Sequence, residues 1–260
     1  MQIAANGITF NYQIEGPEGA PWLVFSNSLA TNLSMWDEQA AALNKSFRIL
    51  RYDHRGHGRT EATDGRYNFD LLVADVVGLF DALSIKRAHF VGISMGGMTG
   101  LALAPKHPDR VDRLVACDCG PASSPASAQQ WEERIAIAQR DGIEPLVDAT
   151  ARRWFPPEFI ENNPAVFQKA CDMIRKTPVK GFIGCAGALA NYDLRPELPG
   201  ISAPTLLIVG TKDATLPGIK AINAAIPGSK LAELEGAGHL SNLEQPGNFT
   251  GALQQFLSAH

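Results

Sequence analysis

The sequence predicts an α/β fold: a mostly parallel, eight-stranded sheet with helices on both faces and a helical cap inserted near the middle of the chain. Three observations carry this reading. Short apolar runs alternate with helical patterns from Trp22 to Cys117. The alternation stops after Gly120-Pro121, gives way to helical pattern alone, and resumes at Ala203. A glycine-bracketed serine, Gly92-Ile93-Ser94-Met95-Gly96, stands where a strand pattern ends and a helix pattern begins. Repeated strand–helix alternation is what parallel strands joined by crossover helices require.

The elements follow in order. Gln2 to Ala5 and Ile8 to Glu15 flank Asn6-Gly7, a two-residue hairpin signal because both turn positions need positive φ. Trp22 to Phe25 reads as a strand, Trp36 to Leu43 as a helix, and Phe47 to Tyr52 as a strand ending at Asp53. Phe69 to Leu83 sets Leu72, Val76, Leu79, Phe80 and Leu83 at helical spacing. Ala88 to Val91 is a short buried strand, and Met98 to Lys106 a helix stopped by Pro108. Val111 to Cys117 is a further strand, counted as the sixth parallel one. Thr205 to Gly210 and Lys230 to Leu234 complete the set. Between the last groups lie four helix candidates: Trp131 to Arg140, Leu146 to Trp154 (broken by Phe155-Pro156-Pro157), Pro164 to Lys176 and Val179 to Ala190. The expected division is a core of residues 1–121 and 196–260 and a cap of 122–195 lying over Ser94.

Bulk properties narrow the function. With 260 residues, 45% of them apolar, the chain can bury one large core. Its charge of −4 and the lack of any basic stripe argue against a nucleic-acid partner. No segment reaches the ~18 consecutive apolar residues of a membrane helix, and the N-terminus lacks the basic flank of a signal peptide. Cys117, Cys119, Cys171 and Cys185 form no disulfide framework, and Cys117-Asp118-Cys119 has no second cluster to complete a metal site. Buried thiols in a cytoplasmic protein are the expectation.

The chemistry centres on Ser94. A serine held on a sharp strand-to-helix turn exposes its oxygen, and side chains in place of Gly92 or Gly96 would collide with strand and helix. Such a serine needs a base, and the base needs an orienting acid. In this architecture they follow in the order serine, acid, histidine. Asp213 follows the strand candidate Thr205–Gly210, and His239 sits in the loop Gly236-Ala237-Gly238-His239 before the last helix. Asp118, at the end of the preceding strand, is the rival acid. His54 and His57 lie in a Gly- and Arg-rich turn without an acidic ligand pattern and read as turn residues.

On Gly92–Gly96, Asp53-His54-Arg55-Gly56-His57-Gly58, Gly210-Thr211-Lys212-Asp213 and Gly236–His239, the chain resembles the capped α/β-hydrolases over nearly its whole length. The resemblance implies a Ser94–Asp213–His239 triad, no cofactor, and an oxyanion hole formed by the backbone N–H groups of Met95 and Leu29. Where most relatives carry His-Gly before this donor, the chain has Asn27-Ser28. The donor N–H remains, but Ser tolerates positive φ less well than Gly. Phe25-Ser26-Asn27-Ser28-Leu29, Asn32 and Met35-Trp36-Asp37, with the runs around Trp131 and Trp154, are similar to 3-oxoadipate enol-lactonases. That likeness implies a small lactone bearing a carboxylate. An arginine fork suits such a group, which makes Arg134 and Arg153 candidate ligands and Trp131 and Trp154 candidate pocket walls. A carboxylesterase or cofactor-free perhydrolase with the same triad, and a ligand receptor that kept the fold, are the competing readings.

Overall fold

The structure, a computed structural model, describes residues 1–258. Eight strands, β1 (Gln2–Ala5), β2 (Ile8–Glu15), β3 (Trp22–Ser26), β4 (Arg48–Tyr52), β5 (Ala88–Ile93), β6 (Val111–Cys117), β7 (Thr205–Gly210) and β8 (Lys230–Leu234), form one sheet in the order β1-β2-β4-β3-β5-β6-β7-β8. β1 and β2 make the expected hairpin, with Asn6 at φ 43° and Gly7 at φ 77° in the turn. β2 also runs antiparallel to β4, so only β3 to β8 are mutually parallel. β6 is therefore the sixth strand of the chain but the fourth parallel one, which corrects the count expected from the sequence.

The helices are α1 (Asp37–Leu43), α2 (Phe69–Ala82), α3 (Met95–Lys106), α4 (Pro125–Asp141), α5 (Val147–Trp154), α6 (Pro157–Asn162), α7 (Pro164–Arg175), α8 (Val179–Ala190), α9 (Leu216–Ala225), α10 (Ser241–Glu244) and α11 (Pro246–Leu257). Every residue of β7 and nearly every residue of β3 and β5 is buried. A strand buried on both sides needs helices on both faces, and its sequence then reads as a continuous apolar run rather than an alternation. Trp36 anchors the core: its indole stacks on Phe25 at 4.6 Å and meets Phe249 of α11 at 6.1 Å. Its Nε1 donates to Asn27 Oδ1 at 3.0 Å, so a buried polar atom keeps a partner. Among the described residues no helix is long and apolar enough to cross a membrane.

Helices α4 to α8 lie between β6 and β7 in the chain and contain no strand. The two arms that enter and leave this insertion are tied together: Leu194 N–H donates to the Pro121 carbonyl at 2.8 Å and Ser123 N–H to that of Tyr192 at 2.9 Å. α4 begins six residues before the expected start at Trp131, because Ser124 caps it by accepting from the Ser127 N–H and Pro125 suits its first turn. α6 was not expected. Pro156-Pro157 ends α5 but also supplies the fixed φ that starts the next helix. α8 is seated on the core through backbone contact. A Cβ on Gly181 would lie 1.8 Å from the Gly56 carbonyl oxygen, so two glycines let helix and turn touch.

Candidate active site

Ser94 sits between β5 and α3 with φ 54° and ψ −119°. Non-glycine residues adopt such a conformation only where the surroundings enforce it, at a cost of about 1–3 kcal/mol. Here the surroundings are backbone. A Cβ on Gly92 would lie 2.2 Å from Gly96 carbonyl atoms, and one on Gly96 would lie 2.2 Å from the Ser26 carbonyl oxygen. Larger residues at either position would force the turn open.

The three candidate triad residues come together from the ends of β5, β7 and β8. His239 Nε2 lies 3.0 Å from Ser94 Oγ, and His239 Nδ1 lies 2.9 Å from Asp213 Oδ2. Asp213 is nearly enclosed and is also held by Thr215, whose hydroxyl donates at 2.5 Å and whose N–H donates at 3.1 Å. Burial alone would raise the Asp213 pKa; the charge and hydrogen bond of His239 outweigh it and hold the carboxyl below its usual value. Burial likewise works against a charged His239, but the Asp213 carboxylate outweighs it and raises the imidazole above 6.5. A hydroxyl, an imidazole and a carboxylate so linked can pass a proton from serine to histidine while the acid stabilises the resulting charge.

Asp118 does not join this chain. Its Oδ1 accepts the Gly210 N–H at 2.9 Å and its Oδ2 the Ser241 hydroxyl at 2.6 Å. Complete burial and the nearby Asp213 charge push its pKa well up. It ties β7 to α10.

Leu29 and Ser94 line one cavity of about 460 Å³. No hydrogen bond among the described residues occupies the Leu29 N–H. Met95 opens α3, so its N–H has no acceptor within the helix. The left-handed residue of the early loop is Ala30, at φ 59°, and not Ser28. The strain anticipated at Ser28 is carried one peptide beyond Leu29, where alanine has the smallest side chain short of glycine.

Trp131, Arg134, Arg153 and Trp154, from α4 and α5, line the same cavity. The Arg134 guanidinium lies over the Trp131 ring, 4.6 Å from its centroid, and Nη2 donates to Thr150 Oγ1 at 2.5 Å. Burial, with Arg153 adding to it, pulls Arg134 down to about 10, which still leaves it charged at neutral pH. Among the described residues neither Arg134 nor Arg153 has an ion-pair partner. The sequence reading missed Tyr192 and Lys212, which also line the cavity. It missed Glu244 as well, whose Oε1 accepts the Gly238 N–H at 2.8 Å beside the candidate base. Nothing in the local pattern marks these residues. Among the described residues no group of three or more His, Cys, Asp or Glu side chains could hold a metal ion.

The family model for the alpha/beta hydrolase fold matches residues 21–246. The chain belongs to the α/β-hydrolase family. It is similar over its length to 3-oxoadipate enol-lactonase 2 of Acinetobacter baylyi, at 38% identity with 97% of this chain and 94% of that protein covered. Enol-lactonase 1 of the same organism is 36% identical with the same coverage. Among solved structures, the enol-lactonase from Burkholderia xenovorans LB400 superposes with a TM-score of 0.96 at 43% identity, each chain covered in full. With likeness of this extent this α/β hydrolase is an enzyme of the hydrolase class.

Proposed function

We propose that this hydrolase opens a small carboxylate-bearing enol-lactone, 3-oxoadipate enol-lactone, by a serine mechanism in the cytoplasm, as a step in aromatic catabolism. The observation that carries the reading is a shared cavity: a hydrogen-bonded Ser94–His239–Asp213 chain faces two guanidiniums, Arg134 and Arg153, that lack a carboxylate of their own. For the partly enclosed Arg134, a charge without a carboxylate beside it is costly unless a ligand supplies the counter-ion, whereas Arg153 is exposed at the mouth of the cavity and stays solvated until a ligand meets it. The names of the full-length relatives point to the same substrate, and four free, buried cysteines suit a reducing compartment.

In this mechanism His239 takes the proton of Ser94 as its oxygen attacks the lactone carbonyl. The oxyanion is held by the N–H groups of Leu29 and Met95. Collapse breaks the ring C–O bond, and His239 returns the proton to the departing enol oxygen, which relaxes to a ketone. His239 then activates a water that hydrolyses the acyl-enzyme. Asp213 keeps the imidazole oriented and stabilises its charged form. Arg134 and Arg153 hold the free carboxylate throughout, with Trp131 and Trp154 as walls.

The test compares the enol-lactone with para-nitrophenyl acetate. Ser94→Ala should lose roughly 10⁴-fold in kcat on the lactone, since triad members act as a unit. A charge-assisted hydrogen bond contributes about 1.5–3 kcal/mol, so Arg134→Ala or Arg153→Ala should raise KM for the lactone by about 10- to 150-fold. KM for the neutral ester should scarcely change. Equal effects on both substrates would remove the carboxylate pocket and favour a general carboxylesterase; absence of multiple turnover on either would favour a receptor.

A further inference from the structure

The loop carrying Leu29 is braced by a neighbouring turn, and the brace has a defined proton arrangement. His54 Nε2 lies 3.1 Å from both Ser26 Oγ and the Asn27 carbonyl. Asp53 Oδ1 accepts the Leu33 N–H at 2.8 Å. Between these, the Ala30 N–H donates to His57 Nε2 at 2.9 Å. The peptide before Leu29 is thus flanked by two pinned peptides, one held at the Asn27 carbonyl and one at the Ala30 N–H. That peptide is itself held at its carbonyl, where Ser28 accepts from the Thr31 hydroxyl at 2.7 Å and the Thr31 N–H at 3.3 Å, and the two pinned neighbours fix the direction in which its Leu29 N–H points.

The partners of His57 leave its ring no choice. The Ala30 N–H can only donate, so Nε2 must accept. The Arg55 carbonyl, 3.1 Å from Nδ1, can only accept, so Nδ1 must carry the proton. The ring is fully buried, and burial pulls its pKa down to about 4, which keeps it neutral. The groups facing it are Cys185 Sγ on α8, 4.0 Å from Nδ1, and the His54 ring at 6.4 Å, itself neutral because burial lowers its pKa to about 3.

We propose that His57 is a positioning residue for the oxyanion hole: by accepting the Ala30 N–H it holds Ala30 left-handed and aims the Leu29 N–H at the carbonyl oxygen of the substrate attacked by Ser94. This rests on the serine-hydrolase reading above. A residue that only filled space here would affect folding and leave transition-state binding alone.

The test uses His57→Leu, which removes the acceptor at similar size, and His57→Gln, whose carboxamide oxygen can take its place. As a separate control, a fluorophosphonate should label the wild type and not Ser94→Ala. Failure of that control would strike the serine mechanism itself, independently of His57. Loss of a whole oxyanion donor costs about 10²–10³-fold in kcat. A donor merely misaimed should cost about 10- to 100-fold in His57→Leu, with KM nearly unchanged and much of the loss restored in His57→Gln. A trifluoromethyl ketone, which forms an oxyanion adduct with Ser94, should weaken by the same factor, while a product-like carboxylic acid should bind as before. A folded His57→Leu with unaltered kcat and ketone affinity, or with both inhibitors weakened equally, overturns the proposal. Should His57→Leu not fold, nitrogen-15 NMR of the wild-type histidines decides. A neutral ring protonated at Nδ1 is expected, and a ring protonated at Nε2 overturns it.

Discussion

The backbone N–H of His239 donates to the carbonyl of Trp154 at 2.7 Å. The last residue of α5, in the insertion, therefore holds the loop that presents the candidate base. The neighbouring Gly238 is part of the same contact: a Cβ there would lie 2.6 Å from the Trp154 carbonyl oxygen and 3.0 Å from Glu244 Oε1. Helix α5 and the loop that bears His239 are joined through backbone at this point.

Gly238→Ala should accordingly push the two backbones apart and misplace the imidazole. Positioning losses of about an ångström cost on the order of 10²-fold. Steady-state kinetics should show a fall in kcat of about that size, and a variant with wild-type kcat would mean that the loop relaxes without moving His239.

The pH profile should carry the mark of the Asp213–His239 pair. In the proposed serine mechanism His239 must be neutral to take the Ser94 proton, and its pKa is raised above 6.5 because the Asp213 interaction outweighs the opposing effect of burial. Activity on an uncharged ester should rise with pH through an apparent pKa above 6.5 in kcat/KM. A limb at or below 6.5 would contradict the pairing.

The two acids separate by function. Asp213→Asn should lose about 10⁴-fold in kcat through the wrong imidazole tautomer, by analogy with the serine proteases. Asp118→Asn can still accept from Gly210 and donate to Ser241, so its activity should remain within about tenfold of wild type and its cost should fall on stability, about 0.5–1.5 kcal/mol. Reversed losses would make Asp118 the orienting acid.

Glu244 should make stability fall with rising pH. Burial, against the opposing Gly238 hydrogen bond, lifts its carboxyl from 4.5 to about 8. A carboxyl with a folded pKa above its unfolded one favours the fold at pH values below 4.5 and loses that advantage as pH rises towards 8. Glu244→Gln keeps an acceptor for Gly238 without the charge. Its Tm relative to wild type should therefore climb between pH 5 and pH 9, where each 1 kcal/mol corresponds to about 2–4 °C. A difference that stays flat across that range would place the ionisation elsewhere.

The fold and the chemistry were legible to different depths, for a physical reason. Strand and helix positions such as Val111–Cys117 and Val179–Ala190 were readable because apolar periodicity and proline act locally. So was the Ser94 turn, since Gly92 and Gly96 are dictated by backbone clearance within the same few residues. The order Ser94, Asp213, His239 was readable as a pattern, yet Asp118 stayed a rival. Both acids end parallel strands, and nothing local says which faces the imidazole. Tertiary structure decided that by giving Asp118 to Gly210 and Ser241. It also moved the strained position to Ala30 and turned His57 from a turn residue into the acceptor for its N–H, 27 positions away in the chain. A hydrogen bond between distant segments leaves no periodicity behind, so the sequence by itself determined the elements and the residue types, and only the packed sheet and insertion decided which polar groups meet.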